Sequence, residues 1–370
     1  MKKHLIAAAV AAAVAVPAAA QVTVTGALEA GFTSKDIRAL GSSTEATRQS
    51  GITAGHVVTP NITFRGSEDL GGGMKASFFI QEELETSTGS TETTNSTTSL
   101  SQTFISLAGG FGEVSVGRMN HATRDVGGVY RFFGDIGRLS GAMNSNNNLT
   151  NTIQFVSPAV AGVKLSVAYS DAGKAASSGV ATGINTAAVA SAGVSGKIGT
   201  VNFALAREEE KLVGASISAL RAKSDLTTLG ANTDLGFARL GVVYATQELT
   251  TSANANGGER NAMGLHLALP AGKGVTVGGS FTSYEVTEAA GGDKPKADIL
   301  TVAARYDFSK RTALYASYQQ VKNSGAANAL AADSATDING GSAGTARGLG
   351  VVEVTNKTTS GMGLTLVHSF

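Results

Sequence analysis

The chain has 370 residues, with 29 Lys and Arg against 28 Asp and Glu, 47 Gly, 5 Pro, and neither Cys nor Trp. A formal charge of +1 argues against nucleic acid or an anionic membrane surface as partner. The absence of cysteine excludes a disulfide scaffold.

Met1 to His4 is a basic head, Leu5 to Val16 an apolar run of 12 residues, and Pro17 to Ala20 offers an A-x-A cleavage site. That is the pattern of a secretory signal peptide over 1–20, too short for an anchoring helix, which needs about 20 apolar residues. The mature chain is expected to run from Gln21 to Phe370, and loss of Lys2 and Lys3 takes its charge from +1 to −1. Beyond residue 20 nothing approaches an apolar span of about 18 residues, and the Ala-rich 326–332 lacks an amphipathic stripe.

What repeats instead is a two-residue alternation. It predicts sixteen strands: 21–33, 54–67, 74–86, 99–108, 113–119, 150–157, 162–171, 187–196, 200–209, 224–234, 238–248, 260–269, 274–287, 296–306, 311–322 and 359–370. Two kinds of connection take turns between them. Seven are short turns, such as 68–73, 109–112 and 270–273, with Gly for positive φ and Pro or Asp to start the bend. The others are long and polar, such as 86–98, 171–185, 250–259 and 323–357. Short on one side and long on the other is the meander of a transmembrane antiparallel β-barrel, all-β, with short periplasmic turns and long external loops. Sixteen closed strands leave an aqueous lumen.

The faces agree. Ile62 and Phe64 oppose Asn61, Thr63 and Arg65; Val114 and Val116 oppose Glu113 and Ser115; Val302 and Ala304 oppose Thr301, Ala303 and Arg305. In the last strand Met362, Leu364, Leu366, His368 and Phe370 share one face, and the strand must pair with the first, because lipid tolerates no open edge. Pro60 removes a ladder donor and reads as a bulge or the outer end of its strand.

Residues 120–149 make a connection of some 30 residues, far longer than a hairpin requires. It carries Arg124, Asp125, Tyr130, Arg131, Phe132, Phe133, Asp135 and Arg138, followed by the polar run 144–148. Aromatics with both charge signs can pack inward and set an electrostatic filter, or the segment can stand outside as a mobile loop; composition does not choose.

The stretches Ile62 to Ala76, Phe104 to Arg118, Ser157-Pro158 and the Phe370 terminus together resemble the general porins of the Gram-negative outer membrane, of the beta-proteobacterial type. The resemblance covers essentially all of 21–370. It implies a homotrimer in the lipid bilayer of the cell outer membrane, passing ions and small hydrophilic solutes by passive diffusion. It also implies that the third external loop, 120–149, folds into the lumen as a constriction, and that Phe370 closes the barrel and signals to the barrel-assembly machinery. Such porins set basic wall residues against acidic loop residues. Arg118 is kept and Arg65 sits in the Phe-Arg-Gly motif, whereas Asn61 and Gln102 stand where several members have arginine. Basic charge crowds the loop instead, through Arg124, Arg131 and Arg138 against Asp125 and Asp135, so modest selectivity of open sign is expected.

No enzyme chemistry emerges. His56, His121, His266 and His368 have no Ser/Asp partnership, there is no G-x-S-x-G or H-x-x-x-H, and no cofactor or metal site is expected. Glu208–Glu210 and Glu82–Glu83 read as solvated charge, with divalent cation binding as the alternative. The rival functions are a substrate-specific channel and an adhesin-type barrel working through its external loops. Aromatics at 6% disfavour the first.

Overall fold

The computed structural model describes residues 21–38, 46–91, 100–136, 148–171, 187–212, 222–251, 256–287, 294, 296–324 and 358–370. The expected signal peptide, Arg138 and most of the long polar connections lie outside the described residues.

In chain order the strands are β1 (Gln21–Arg38), β2 (Ala46–Thr53), β3 (Asn61–Gly71), β4 (Met74–Glu85), β5 (Ser90–Thr91), β6 (Leu100–Gly109) and β7 (Gly112–Met119). A helix, α1 (Ala122–Tyr130), follows. Then come β8 (Leu149–Val156), β9 (Val163–Ser170), β10 (Ala187–Ile198), β11 (Val201–Leu212), β12 (Lys223–Asp234) and β13 (Arg239–Thr250). The last are β14 (Asn256–Gly272), β15 (Val275–Thr287), β16 (Lys296–Asp307), β17 (Thr312–Ser324) and β18 (Thr358–Ser369). All pair antiparallel with their neighbours, and β18 returns to β1 from Ala27↔Ser369 to Lys35↔Gly361. Gly26 and Phe370 exchange both backbone hydrogen bonds, at 3.1 and 3.0 Å, which carries the closure to the last residue.

Both β2 and β3 pair with β1, on its outer and inner halves respectively, so they are one stave broken at 54–60. β5 only extends the end of β4. The barrel therefore has sixteen staves. The expected continuous strand over 54–67 is corrected: it begins at Asn61, its outer half is 46–53, and Pro60 ends the break. Pro60 has no N–H for the ladder but its carbonyl accepts from Leu84 N at 2.8 Å. The other fifteen staves match the expected ones within four residues at the starts and five at the ends.

Side-chain parity separates the two surfaces. Leu265 (58% exposed), Phe281 and Val302 stand bare on one face, as do Val24, Leu28, Phe32, Leu364 and Leu366. Their neighbours in sequence, His266, Ser280, Thr301, Ala27, Glu29 and Thr365, are buried on the other. A bare apolar face on a sheet with no edge is a surface for lipid. Near the short turns, Tyr306 and Phe308 meet edge to face at 4.9 Å and Phe111 and Phe237 are exposed, as in an interfacial girdle. The turn after β3 runs through Gly71, Gly72 and Gly73 with φ of +77°, +62° and +79°, where side chains would be strained.

Candidate functional site

Residues 121–136 of the connection after β7 lie against the inner face. α1 has nine residues and contains Gly127 and Gly128, so propensity contributes little and its docking holds it. Small residues carve the dock. A Cβ on Gly193 would stand 2.6 Å from Ala122 Cβ, one on Gly230 3.0 Å from Val126 Cγ1, and one on Gly241 3.0 Å from the Phe132 ring. Ala204 and Ala206 complete the bed beneath Ala122, Val126 and Tyr130. Burying Val126 alone contributes about 1.5–3 kcal/mol. Polar pins add direction: His121 Nδ1 lies 3.1 Å from Glu208 Oε2, and Thr123 Oγ1 donates to the same oxygen at 3.2 Å. Asn232 Nδ2 donates to the Val129 carbonyl.

Beyond α1, the Tyr130 and Phe132 rings flank His266 at centroid distances of 4.9 and 6.5 Å, and the Arg239 guanidinium lies 4.5 Å over Phe132. Phe133 and Ile136 then pack with Ala268, Ala303, Tyr315 and Val367. Residues 121–136 thus run along β9–β14 and reach β16–β18. The stretch of wall left across from them is β3 to β8.

That wall carries a row of neutral amides. Asn61 Nδ2 donates to Thr59 O at 2.9 Å, and Gln81 Nε2 donates to Thr63 Oγ1 at 2.9 Å and to Asn61 Oδ1 at 3.4 Å. Gln102 Nε2 donates to Gln81 Oε1 at 3.0 Å, Asn120 N to Gln102 Oε1 at 3.2 Å, and Gln154 Nε2 to Asn120 O at 3.4 Å. The register sets Gln81 opposite both Thr63 and Gln102. Each amide side chain can both give and accept, which an arginine cannot do. Asn61 and Gln102 are thus brought together through Gln81, and the wall is polar and uncharged along this row.

Charge flanks the row. Arg65 lies four residues beyond Asn61 toward the short-turn end, exposed, 5.5 Å over the Phe79 ring, which stacks on Phe104 at 5.1 Å. It has no ion-pair partner among the described residues. Arg118 lies at a break in the pairing: Gly117 has φ +143°, and between Gly117↔Thr152 and Met119↔Leu149 two residues of β8, Thr150 and Asn151, oppose Arg118 alone. Strict alternation would put Arg118 outside with Val116. Its guanidinium feels the Glu83 charge, and Nε donates to Ser101 O at 3.0 Å.

On α1, Asp125 is exposed to the lumen but crowded by the walls. That desolvation pushes its carboxyl above the ordinary range, against the pull of His121 and Lys164. Arg131 and Asp135 pair with each other, and Arg131 Nε also donates to Gly127 O at 2.6 Å, so these two charges offset one another. Arg124 is half-buried. Phe370 sits outside at the closing seam, its ring 2.6 Å from where a Gly26 Cβ would be.

Sequence reasoning read Glu83 as solvated charge, and missed Gln81, Gln154 and Lys164, whose roles depend on cross-strand register, and Glu29, a lone carboxylate in the middle of an alternating strand. The histidines sit in structural settings: His56 Nε2 is 2.7 Å from Ser317 Oγ, and His368 Nδ1 is 2.9 Å from Thr312 Oγ1. Glu208 and Glu210 are buried inward, while Glu209 faces out and pairs with Lys211 and Lys223 at 2.9 Å each. Among the described residues no group of three or more His, Cys, Asp or Glu is placed to hold a metal.

A closed sheet with an apolar exterior and a polar interior crossed by its own loop defines the class, a transmembrane β-barrel. The profile of the Gram-negative porin family matches residues 7–326, and the chain belongs to that family, which places it in the outer membrane. Outer membrane porin protein 32 of Delftia acidovorans is 28% identical over 341 residues, 87% of this chain and 90% of that protein. Major outer membrane protein P.IB of Neisseria meningitidis is 39% identical over 131 residues, 35% of this chain; the match spans only 37% of that protein's length. Among solved structures, the anion-selective porin from Comamonas acidovorans has a TM-score of 0.76 at 22% identity, over 95% of this chain and all of that one. OmpT of Vibrio cholerae, in a trimer form, has a TM-score of 0.67 at 13% identity, over 95% and 100%. At these identities the structures speak for the fold alone. Family and fold are those of a channel rather than an enzyme.

Proposed function

We propose that residues 21–370, freed of the 1–20 signal peptide, form a water-filled channel for passive diffusion of ions and small hydrophilic solutes. The carrying observation is the pairing of an inner wall of hydrogen-bonded amides with a loop docked on the wall across from it. Residues 120–149 narrow the passage against β3–β8. Polar amides keep that face wet without stripping a solute of its hydration shell, since they are satisfied by each other.

Arg65 supplies the field at the narrow part, because Arg118 is opposed by Glu83 and Arg131 by Asp135. A weak anion preference follows, weaker than an arginine in place of Asn61 or Gln102 would give. The barrel works as a homotrimer, a reading supported by the trimer form of a structural relative. Phe370 serves closure and assembly.

The test is conductance of the purified protein in planar bilayers under a salt gradient, with liposome swelling by neutral sugars of rising size. An open pore gives ohmic steps, a small anion-directed reversal potential and a sharp size cut-off. Conductance blocked by one class of solute would favour a specific channel. A barrel that inserts but does not conduct would refute the pore.

A further inference from the structure

The break in the second stave, residues 54–60, is the one place where the wall leaves its ladder and turns inward among the described residues. A segment that leaves a ladder must find partners for its N–H groups. Here one side chain collects three of them. Glu29, on the inner face of β1 and 1% exposed, accepts from His56 N (2.6 Å) and Val57 N (3.1 Å) on Oε1, and from Val57 N (2.9 Å) and Val58 N on Oε2. His56 reaches across to Ser317 of β17 at 2.7 Å. The segment is thereby tied to two staves.

Its other side meets residues 133–136. The Val57 carbonyl accepts from Asp135 N at 2.7 Å, and Val57 packs with Phe133 and Ile136. Gly134, with φ +66°, passes so close that a Cβ there would overlap the Val57 carbonyl oxygen. Residues 133–136 are thus held between 54–60 and the wall of β14 and β16–β18.

We propose that 54–60 is a strut that fixes residues 133–136 of the constriction loop, and that Glu29 is its positioning residue, setting how steadily the channel conducts without lining the passage. The idea rests on reading 120–149 as the constriction. A carboxylate suits the task because it is acceptor-only, with two oxygens for the three amides. A glutamine in its place would offer one acceptor oxygen and turn an NH2 group toward backbone N–H donors. With a buried donor orphaned, the population of displaced-loop states rises by roughly tenfold or more.

Single-channel recording of wild type, Glu29→Gln, Glu29→Asp and Ser317→Ala tests this, with heat-modifiable migration on gels to score the folded barrel. The expected result is a folded Glu29→Gln barrel whose open level flickers and visits substates about ten times as often. Its loop should also become cleavable by trypsin after Arg131. Glu29→Asp, which keeps the charge but is one methylene short, should fall between. A Glu29→Gln trace as quiet as wild type, with an uncleaved loop, overturns the proposal. If Glu29→Gln yields no folded barrel, Ser317→Ala decides, since it cuts the second tie and leaves β1 untouched; a quiet trace there overturns the proposal equally. Replacing 122–136 by a short Gly-Ser linker separates the two readings. Unchanged conductance refutes the constriction itself, whereas raised conductance beside a quiet Glu29→Gln channel refutes the strut alone.

Discussion

Neutralising Arg65 should move ion selectivity more than neutralising Arg118 and Glu83 together, although both sites occupy the same wall. Arg65 is exposed over Phe79 and has no opposing carboxylate among the described residues, while Arg118 lies beside Glu83. An ion following the wall passes the Arg65 guanidinium at about 6 Å, where unit charges in water interact by ~0.7 kcal/mol. At 0.1 M salt the Debye length of about 10 Å reduces this to ~0.4 kcal/mol. The term acts with opposite sign on anion and cation, so Arg65→Gln should lower the anion-to-cation permeability ratio roughly fourfold. Arg118 and Glu83 together add little net field, so Arg118→Gln with Glu83→Gln should change the ratio by less than about twofold, whereas Arg118→Gln alone leaves Glu83 unopposed and should lower it by a factor comparable to Arg65→Gln. The assay is reversal potential under a tenfold KCl gradient, with single-channel conductance as a check on pore size. Repeating it near 1 M salt, where the Debye length is about 3 Å, should shrink the Arg65 effect to under about 1.5-fold. Equal shifts for the Arg65 variant and the Arg118–Glu83 double variant, or an Arg65 shift that ignores salt, would refute the assignment of the field to Arg65.

Gly230→Val puts a branched side chain where a Cβ already stands 3.0 Å from Val126; overpacking of about 1–3 kcal/mol should push α1 into the lumen and lower conductance, with the folded barrel retained on gels. Because desolvation raises the Asp125 carboxyl, its negative charge should be lost, as pH falls, earlier than an ordinary carboxylate near 3.8 would lose it. Anion preference should therefore grow in that window, and Asp125→Asn should abolish the step in a reversal-potential titration. Deleting Phe370 removes two backbone hydrogen bonds at the seam and the ring over Gly26, and should lower the temperature at which the folded band is lost.

The barrel was legible because its code is local. A period of two, broken by Gly-rich turns, located fifteen staves to within a few residues, and the exposed row of Leu364, Leu366 and Phe370 against buried Thr365 is the alternation the sequence carries. The site was legible in part. Arg65 lies where alternation puts it, but Arg118 lies at the slip in the β7–β8 pairing, and simple parity would have pointed it at lipid. The amide row was half visible, as Asn61 and Gln102. Its middle member, Gln81, matters only because register sets it between Thr63 and Gln102, and register is a long-range property.

The 54–60 segment failed for a different reason, and the reason is physical. Residues 52 to 64 show apolar and small side chains at spacings that suit a strand, and Pro60 alone objected. What takes the chain off its ladder is a partner 27 residues before His56: Glu29 offers three backbone amides a charged acceptor within the barrel. A neutral ladder bond contributes about 0.5–1.5 kcal/mol, and a bond to a charged group about 1.5–3. Three of the latter offset part of the ladder bonding that 54–60 gives up, and propensity, which spans about 1 kcal/mol, cannot register the trade. A carboxylate placed mid-strand on the inner face of such a barrel is therefore a reason to look for chain that has folded in to meet it.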